Sequence, residues 1–554
     1  MSDYSNWVVY GPLCAGAAVV LAHVVPYYLD PHQYRRPAID GPWLSSLSDA
    51  WLAHAAAQGN RSERVHELHK KYGKFVRIAP NHISIADPDA IQIIYAHGNG
   101  TLKSEFYDAF VSIRPGLFNT RDRAQHTRKR KLVSHIFSQQ NVLAFEPHIR
   151  RHVRNFCAKW DERCAAAAKG LSGDDWQARD GQAWFDCLPH YNYLAFDIIG
   201  DLAFGSPFGM IAAQRDSAPV IEYTTSDDKS TRVVKHVPAI KILNDRGDFS
   251  ASLGVLPLWA RPWAKRFPWY ARGNQAVQNL AGLAIAAVTK RLEEGLPDEE
   301  LDEQDVEAEE QGGVKAKRKR TDLLEKLQQG KDENGAPMGR EELTAEALTQ
   351  LIAGSDTTSN SSCAITYYLA ANPRAQRALH AELDANLPRS SSTASPATTY
   401  DSVKSLPYLN ACINEGLRLH STSSMGLPRV IPPGTELEVA GEKFGPGCVL
   451  SVPSFTIHRD KEVWGEDVDA FRPERWFEEG SARMNKIFNP FSYGPRACVG
   501  RNLATMELQI IISSIFRRYE FVLLNPNEPL GTREGFLRKP LSCYVGLKRR
   551  EVSF

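Results

Sequence analysis

The residue with the most chemistry to offer is Cys498, inside Phe491-Ser492-Tyr493-Gly494-Pro495-Arg496-Ala497-Cys498-Val499-Gly500. A thiolate holds metals well, and this loop is composed to favour thiolate over thiol. Gly494 and Gly500 flank the sulfur and permit backbone conformations that other residues resist. Backbone N–H groups can then point at the sulfur. The apolar helix that follows (Leu503, Met506, Leu508, Ile510) adds the positive end of its dipole. Arg496 brings a cation to the same place. A lone cysteine in a glycine-rich loop is usually structural, so other parts of the chain must decide.

Three other sets of residues carry chemistry. Ala353-Gly354-Ser355-Asp356-Thr357-Thr358 interrupts a proline-free stretch, 341–371, that reads as one long helix ended by Asn372-Pro373. Gly354 costs about 1 kcal/mol against alanine inside a helix. The plain reading is a kink. The functional reading is a groove: Gly354 admits a flat cofactor, Thr357 bonds back to the preceding turn and opens space, and Asp356 relays protons. Glu415 and Arg418 share one helical face, an arrangement that means little alone. His126 and Arg130, four apart, also share a face, inside the cationic run 122–131.

These motifs, with Phe471-Arg472-Pro473-Glu474-Arg475-Trp476, occur in an order that resembles the cytochromes P-450. The resemblance covers nearly everything after residue 37. It implies a mainly α fold with a small β lobe. It implies haem b with Cys498 as proximal iron ligand, beside Phe491 and Gly354. It places His126 (where the family has Trp), Arg130, Arg429 and Arg496 on the haem propionates. It makes Asp356 and Thr357 the proton-delivering pair, and Glu415, Arg418 and Arg475 a buried structural ion pair. The implied reaction inserts one atom of O2 into a substrate. Electrons come from NADPH through the flavins of a NADPH-cytochrome P-450 reductase, since this chain has no flavin or nicotinamide segment. Lys129, Lys131 and Arg501 are candidates for that docking face, or plain solvated charges.

Within the family, the pieces 103–110, 116–123 and 197–205 resemble the fungal benzoate 4-monooxygenases. The implied substrate is a small aromatic carboxylate, benzoate, oxidised at its para carbon. Phe106, Tyr107 and Phe110 are candidates for the aromatic slot, and Arg114 for a carboxylate clamp. Another small aromatic or phenolic substrate stays open. So does a reductase-independent haem-thiolate isomerase or dehydratase, or a haem sensor, although the Asp356–Thr357 pair argues against both of these.

The elements that must position these residues can be outlined. Sixty-six basic against 65 acidic residues give a net charge of +1, which does not suggest a nucleic-acid partner. Nine cysteines without regular spacing or a Cys-x-x-Cys pair point to a reducing compartment and away from zinc. Trp7–Leu29 contains no Asp, Glu, Lys or Arg, a length that suits one transmembrane helix in membrane lipid. Arg35 and Arg36 follow it, so the positive-inside rule leaves the body in the cytosol, on the endoplasmic reticulum membrane. A cleaved signal peptide would want basic residues first. Residues 1–36 are then anchor and flank, and 37–554 the catalytic domain.

In the body, a helix over 61–73, strands at 75–78 and 83–85, and a helix ending at Tyr95 open a mixed α/β unit. An aromatic irregular stretch spans 101–120. Helices are predicted over 146–168 and 184–204, and over most of 220–292 between prolines. The Trp/Pro/Phe-rich piece 255–270 either meets the membrane or packs. Residues 294–320 read as a disordered insertion and 389–399 as a loop. Strands return at 429–430, 436–439 and 449–452.

Overall fold

The computed structural model describes residues 2–31, 39–226, 229–295, 322–330, 336–387 and 395–550. Arg35 and Arg36, nearly all of the proposed insertion and half of the 389–399 loop lie outside these residues. Helix Ser2–Leu29 contains an apolar span, Tyr10–Leu29, of 20 residues with mean hydropathy 1.6, none of it buried. Twenty residues at about 1.5 Å each match the roughly 30 Å of a bilayer's hydrocarbon.

The body is organised around helix Arg340–Ala371, the distal helix. Glu341 and Glu342 suit its first turn, and Pro373 stops it. Close approach on its two sides depends on glycine. A Cβ on Gly354 would fall 2.7 Å from the Ile199 side chain of helix Leu188–Phe204. A Cβ on Gly416, in helix Pro407–Leu419, would fall 2.5 Å from Ile365. Gly354 therefore makes room for a neighbouring helix, and it also borders the cavity beside Cys498. Helix Arg501–Arg518, the proximal helix, is buried along most of its length. Cys187, Cys363 and Cys543 bring three buried sulfurs within 4.8 Å of one another inside the main core.

The β lobe is a five-stranded sheet ordered Phe75–Ala79, His82–Ile85, Val449–Ser451, Arg429–Val430, Leu102–Lys103. Only the pairing of His82–Ile85 with Val449–Ser451 is parallel. The last pair sets Lys103 directly opposite Arg429. Side chains of opposed residues share a face, so sheet register delivers two cations to one place. A second sheet joins Tyr519–Leu523, Tyr544–Arg549, Gln182–Asp186 and Gln177–Arg179. The chain's two ends are tied together: Ser62 donates through its backbone N–H (2.6 Å) and Oγ (2.5 Å) to the buried carboxylate of Glu534.

Two expectations are corrected. The helix predicted from 184 starts at Leu188, because Trp184–Asp186 pairs with Tyr544–Gly546 as a strand. The stretch after 220 is not helical at first: Ala218–Ser226 and Lys229–Val237 form an antiparallel hairpin. Its run Val220-Ile221-Glu222-Tyr223-Thr224-Thr225 is β-branched and aromatic, a strand signal that the prolines further on obscured.

Candidate active site

The loop around Cys498 is shaped by its backbone. Gly494 has φ +71°, and a Cβ there would sit 1.9 Å from the Tyr95 carbonyl oxygen, so both torsion and space require glycine. Cys498 N–H donates to the Phe491 carbonyl at 2.8 Å, closing the loop. The sulfur faces a cavity in two lobes that share Cys498, Thr357, Arg496 and Lys103 in their walls. Phe491 lines the larger lobe. Burial pushes the Cys498 thiol up, while the Gly500 N–H and the Arg130 and Arg501 cations pull it down.

Basic side chains converge on the same cavity. Arg130 donates to the Ala497 carbonyl at 2.6 Å, and Arg496 to the Thr120 carbonyl at 2.5 Å. Arg429 donates to Tyr107 Oη at 3.1 Å, and its Nη2 is buried without a partner. His126 lines the smaller lobe, where burial and the cations of Arg496 and Lys103 push it down to about 3. It is neutral and still has one N–H to donate. Lys103 was missed by sequence reasoning. It is buried, bonded to the Phe118 carbonyl, and lies 4.2 Å from the Tyr107 ring centroid. Burial first, then Arg429, Arg496 and Arg130, push its ammonium well down. None of these five forms an ion pair with a carboxylate among the described residues.

The chain matches the cytochrome P450 family over residues 47–547. The chain belongs to that family. It is 47% identical to a benzoate 4-monooxygenase of Aspergillus niger over 98% of both chains. It is 28% identical to a cytochrome P450 monooxygenase of Emericella nidulans, over 95% of this chain and 96% of that one. A pisatin demethylase of Fusarium vanettenii is also 28% identical, over 87% of this chain and 84% of the relative. As a cytochrome P450 the protein uses haem b and is a monooxygenase.

The cavity of this P450 can be tested for fit to haem. Four buried or half-buried cations with no anion between them are costly unless an anion joins them. The two propionates of haem supply that charge, and Arg429 Nη2 is a donor left for one of them. The larger lobe holds about 1490 Å3 of empty space, its mouth included. The residues present fit the group.

On the distal helix of this P450, Thr357 Oγ1 donates to the Ala353 carbonyl at 2.6 Å and lines both lobes. Asp356 is buried, does not line the cavity, and turns toward Lys539 at 3.9 Å and toward Arg246. Burial raises its carboxyl; Lys539 and then Arg246 pull it down. Behind Thr357, Thr358 donates to Glu507 of the proximal helix at 2.8 Å. Glu507 is buried in the cavity wall, which pushes it up to about 7. Nothing in its sequence surroundings singled it out.

Glu415, Arg418 and Arg475 meet with no exposure to solvent. Arg418 grips both Glu415 oxygens at 2.9 and 3.0 Å, and Arg475 Nε donates to one at 2.8 Å. Trp476 Nε1 and the Arg472 N–H also donate to the same carboxylate, each at 3.1 Å. Spare donors of the two arginines go to the carbonyls of His458, Val468 and Trp464.

At the substrate end, Tyr107 and Phe110 line the larger lobe, but Phe106 does not. Phe106 packs behind Phe110, ring centroids 5.2 Å apart, over Gly254. Phe118 and Phe536 take its place, each within 6 Å of the Phe110 ring centroid and 5.1 Å from each other. Arg114 lines the lobe from an exposed position. The docking reading also loses a member. Lys129 is buried and paired with Glu342 (2.5 Å) and Glu346 (3.0 Å) on the distal helix, whereas Lys131 and Arg501 are exposed.

Proposed function

We propose that this chain hydroxylates benzoate at the para carbon, drawing electrons from NADPH through a membrane-bound flavoprotein reductase. The observation that carries the reading is 47% identity, end to end, with a benzoate 4-monooxygenase. The aromatic wall of Tyr107, Phe110, Phe118 and Phe536 suits a single flat ring. Haem with a thiolate ligand supplies oxygen activation by favouring O–O cleavage. Cys498 provides the thiolate, and Arg130, Arg429, Arg496, Lys103 and His126 hold the propionates. Thr357, its hydrogen committed to Ala353, offers lone pairs that hold a water in the cavity. Asp356 lies one residue round the helix, turned toward Lys539 and Arg246, so water or rotation of its side chain must link it to Thr357. Benzoate added to the purified holoenzyme is expected to shift its haem spectrum from low to high spin. Reductase and NADPH are then expected to yield 4-hydroxybenzoate. No shift and no product would remove the substrate assignment.

The same reading places the protein on the endoplasmic reticulum membrane, with its body in the cytosol. Helix Ser2–Leu29 is the anchor. Trp259, Trp263, Phe267 and Trp269 are all exposed, Trp269 by 71%, and this patch fits the lipid interface where tryptophan partitions well. Liposome flotation of the body without residues 1–36 is expected to persist, and to weaken severalfold on replacing Trp259, Trp263 and Trp269 with Ser. Equal flotation of both would assign membrane contact to the anchor alone.

A further inference from the structure

Resting on the aromatic-acid reading, we propose that Arg246, assisted by Ser112, binds the substrate carboxylate. Arg246 lies on helix Ala239–Gly254 and reaches the wall of the larger lobe, 6% exposed. Its Nη2 donates to the Phe110 carbonyl at 2.8 Å, which fixes the guanidinium beside the aromatic wall. Its Nε is buried with no partner. Two residues beyond Phe110, Ser112 lines the same lobe, and its Oγ is likewise buried without a partner. A buried cation with an unmet donor, and an unmet hydroxyl in the wall of the same lobe, call for an anionic, hydrogen-bonding ligand. Around them the wall is apolar and aromatic: Phe110, Ile113, Phe118 and Phe536. An aromatic ring carrying one carboxylate satisfies both parts of that surface.

Two competitors are weaker. Arg114 also borders the lobe, but it is exposed, and water already solvates it. Asp356 lies within electrostatic reach of Arg246, but Lys539 is its stronger neighbour, at 3.9 Å.

The test titrates holoenzyme with benzoate and with nitrobenzene, its uncharged isostere, following the haem spectrum. Arg246→Leu is expected to weaken benzoate about 10- to 100-fold, the range of a lost charged hydrogen bond, while nitrobenzene changes less than about threefold. Arg246→Lys should recover part of the loss, and Ser112→Ala should weaken benzoate about three- to tenfold. If Arg246→Leu does not take up haem, Arg246→Gln and Ser112→Ala make the same comparison. Unchanged benzoate affinity in the Arg246 variants overturns the clamp. So does equal weakening of both ligands, which would leave Arg246 shaping the cavity or balancing Asp356. A wild-type enzyme that binds nitrobenzene but not benzoate overturns the substrate reading and the clamp together, and so is told apart from a failure confined to the variants.

Discussion

Cys498→Ser is expected to leave a folded protein whose carbon-monoxide complex lacks the absorption band of thiolate ligation. A serine hydroxyl fits the same space but ionises far less readily than a thiol. The Gly500 N–H and the Arg130 and Arg501 cations that favour a thiolate have no comparable anion to stabilise. Turnover should fall to background, because a Cys498 thiolate would supply the electron donation that favours O–O cleavage. Haem content need not fall in proportion, since the propionate cations remain. The decisive measurement is the reduced, carbon-monoxide-bound spectrum. A retained thiolate band in Cys498→Ser would mean that another cysteine ligates, and the cavity lined by Cys498 would not be the haem site.

The second large effect belongs to a residue that touches no substrate. Glu415→Ala removes the acceptor shared by Arg418, Arg475, Trp476 and the Arg472 backbone. Breaking a buried ion pair from one side costs about 3–5 kcal/mol, because the partner charge stays buried. Two arginines are stranded here, each with no solvent exposure. Loss of the acceptor for Trp476 and Arg472 adds about 1–3 kcal/mol for each unsatisfied donor. Against a total stability of about 5–15 kcal/mol, the variant is expected to yield no folded, haem-loaded protein. Recovery of soluble holoprotein with a wild-type unfolding midpoint would show that the network is dispensable.

How much of this was legible in the sequence differs by residue. The Cys498 loop and the Glu415–Arg418 pair were readable because their functional spacing is local: a loop turn, or one helical face. Arg475 was readable only through the family resemblance, since it is 60 residues from Glu415. Lys103 was not readable. It meets Arg429 because of strand register across 326 residues, and a lone lysine carries no trace of that pairing. Arg246 sat in a stretch read simply as helix, and only packing turned it toward a cavity. Lys129 looked like one more charge in a basic run. Its two carboxylate partners lie more than two hundred residues away, on the distal helix. The glycine at 354 was noticed as an oddity, but its close contact with Ile199 was not readable, since helix interiors do not announce which side another helix will approach. The hairpin at 218–237 was missed because prolines further on were allowed to outweigh a β-branched run.

The bond between Ser62 and Glu534 has a consequence for biosynthesis. The two residues are 472 positions apart. At roughly 5–20 residues per second, the ribosome needs on the order of 25–95 s to make the second after the first. Through that interval an early body helix, Arg61–Tyr72, waits without the partner that completes its packing. The Glu534 backbone N–H also donates to the Gly59 carbonyl at 2.7 Å, so the final strands close the lobe that the first residues began. Native structure in the N-terminal lobe is thus completed only after nearly all of the polypeptide has emerged. A chain truncated shortly before Glu534 would be expected to stay dependent on chaperones rather than fold as a smaller enzyme.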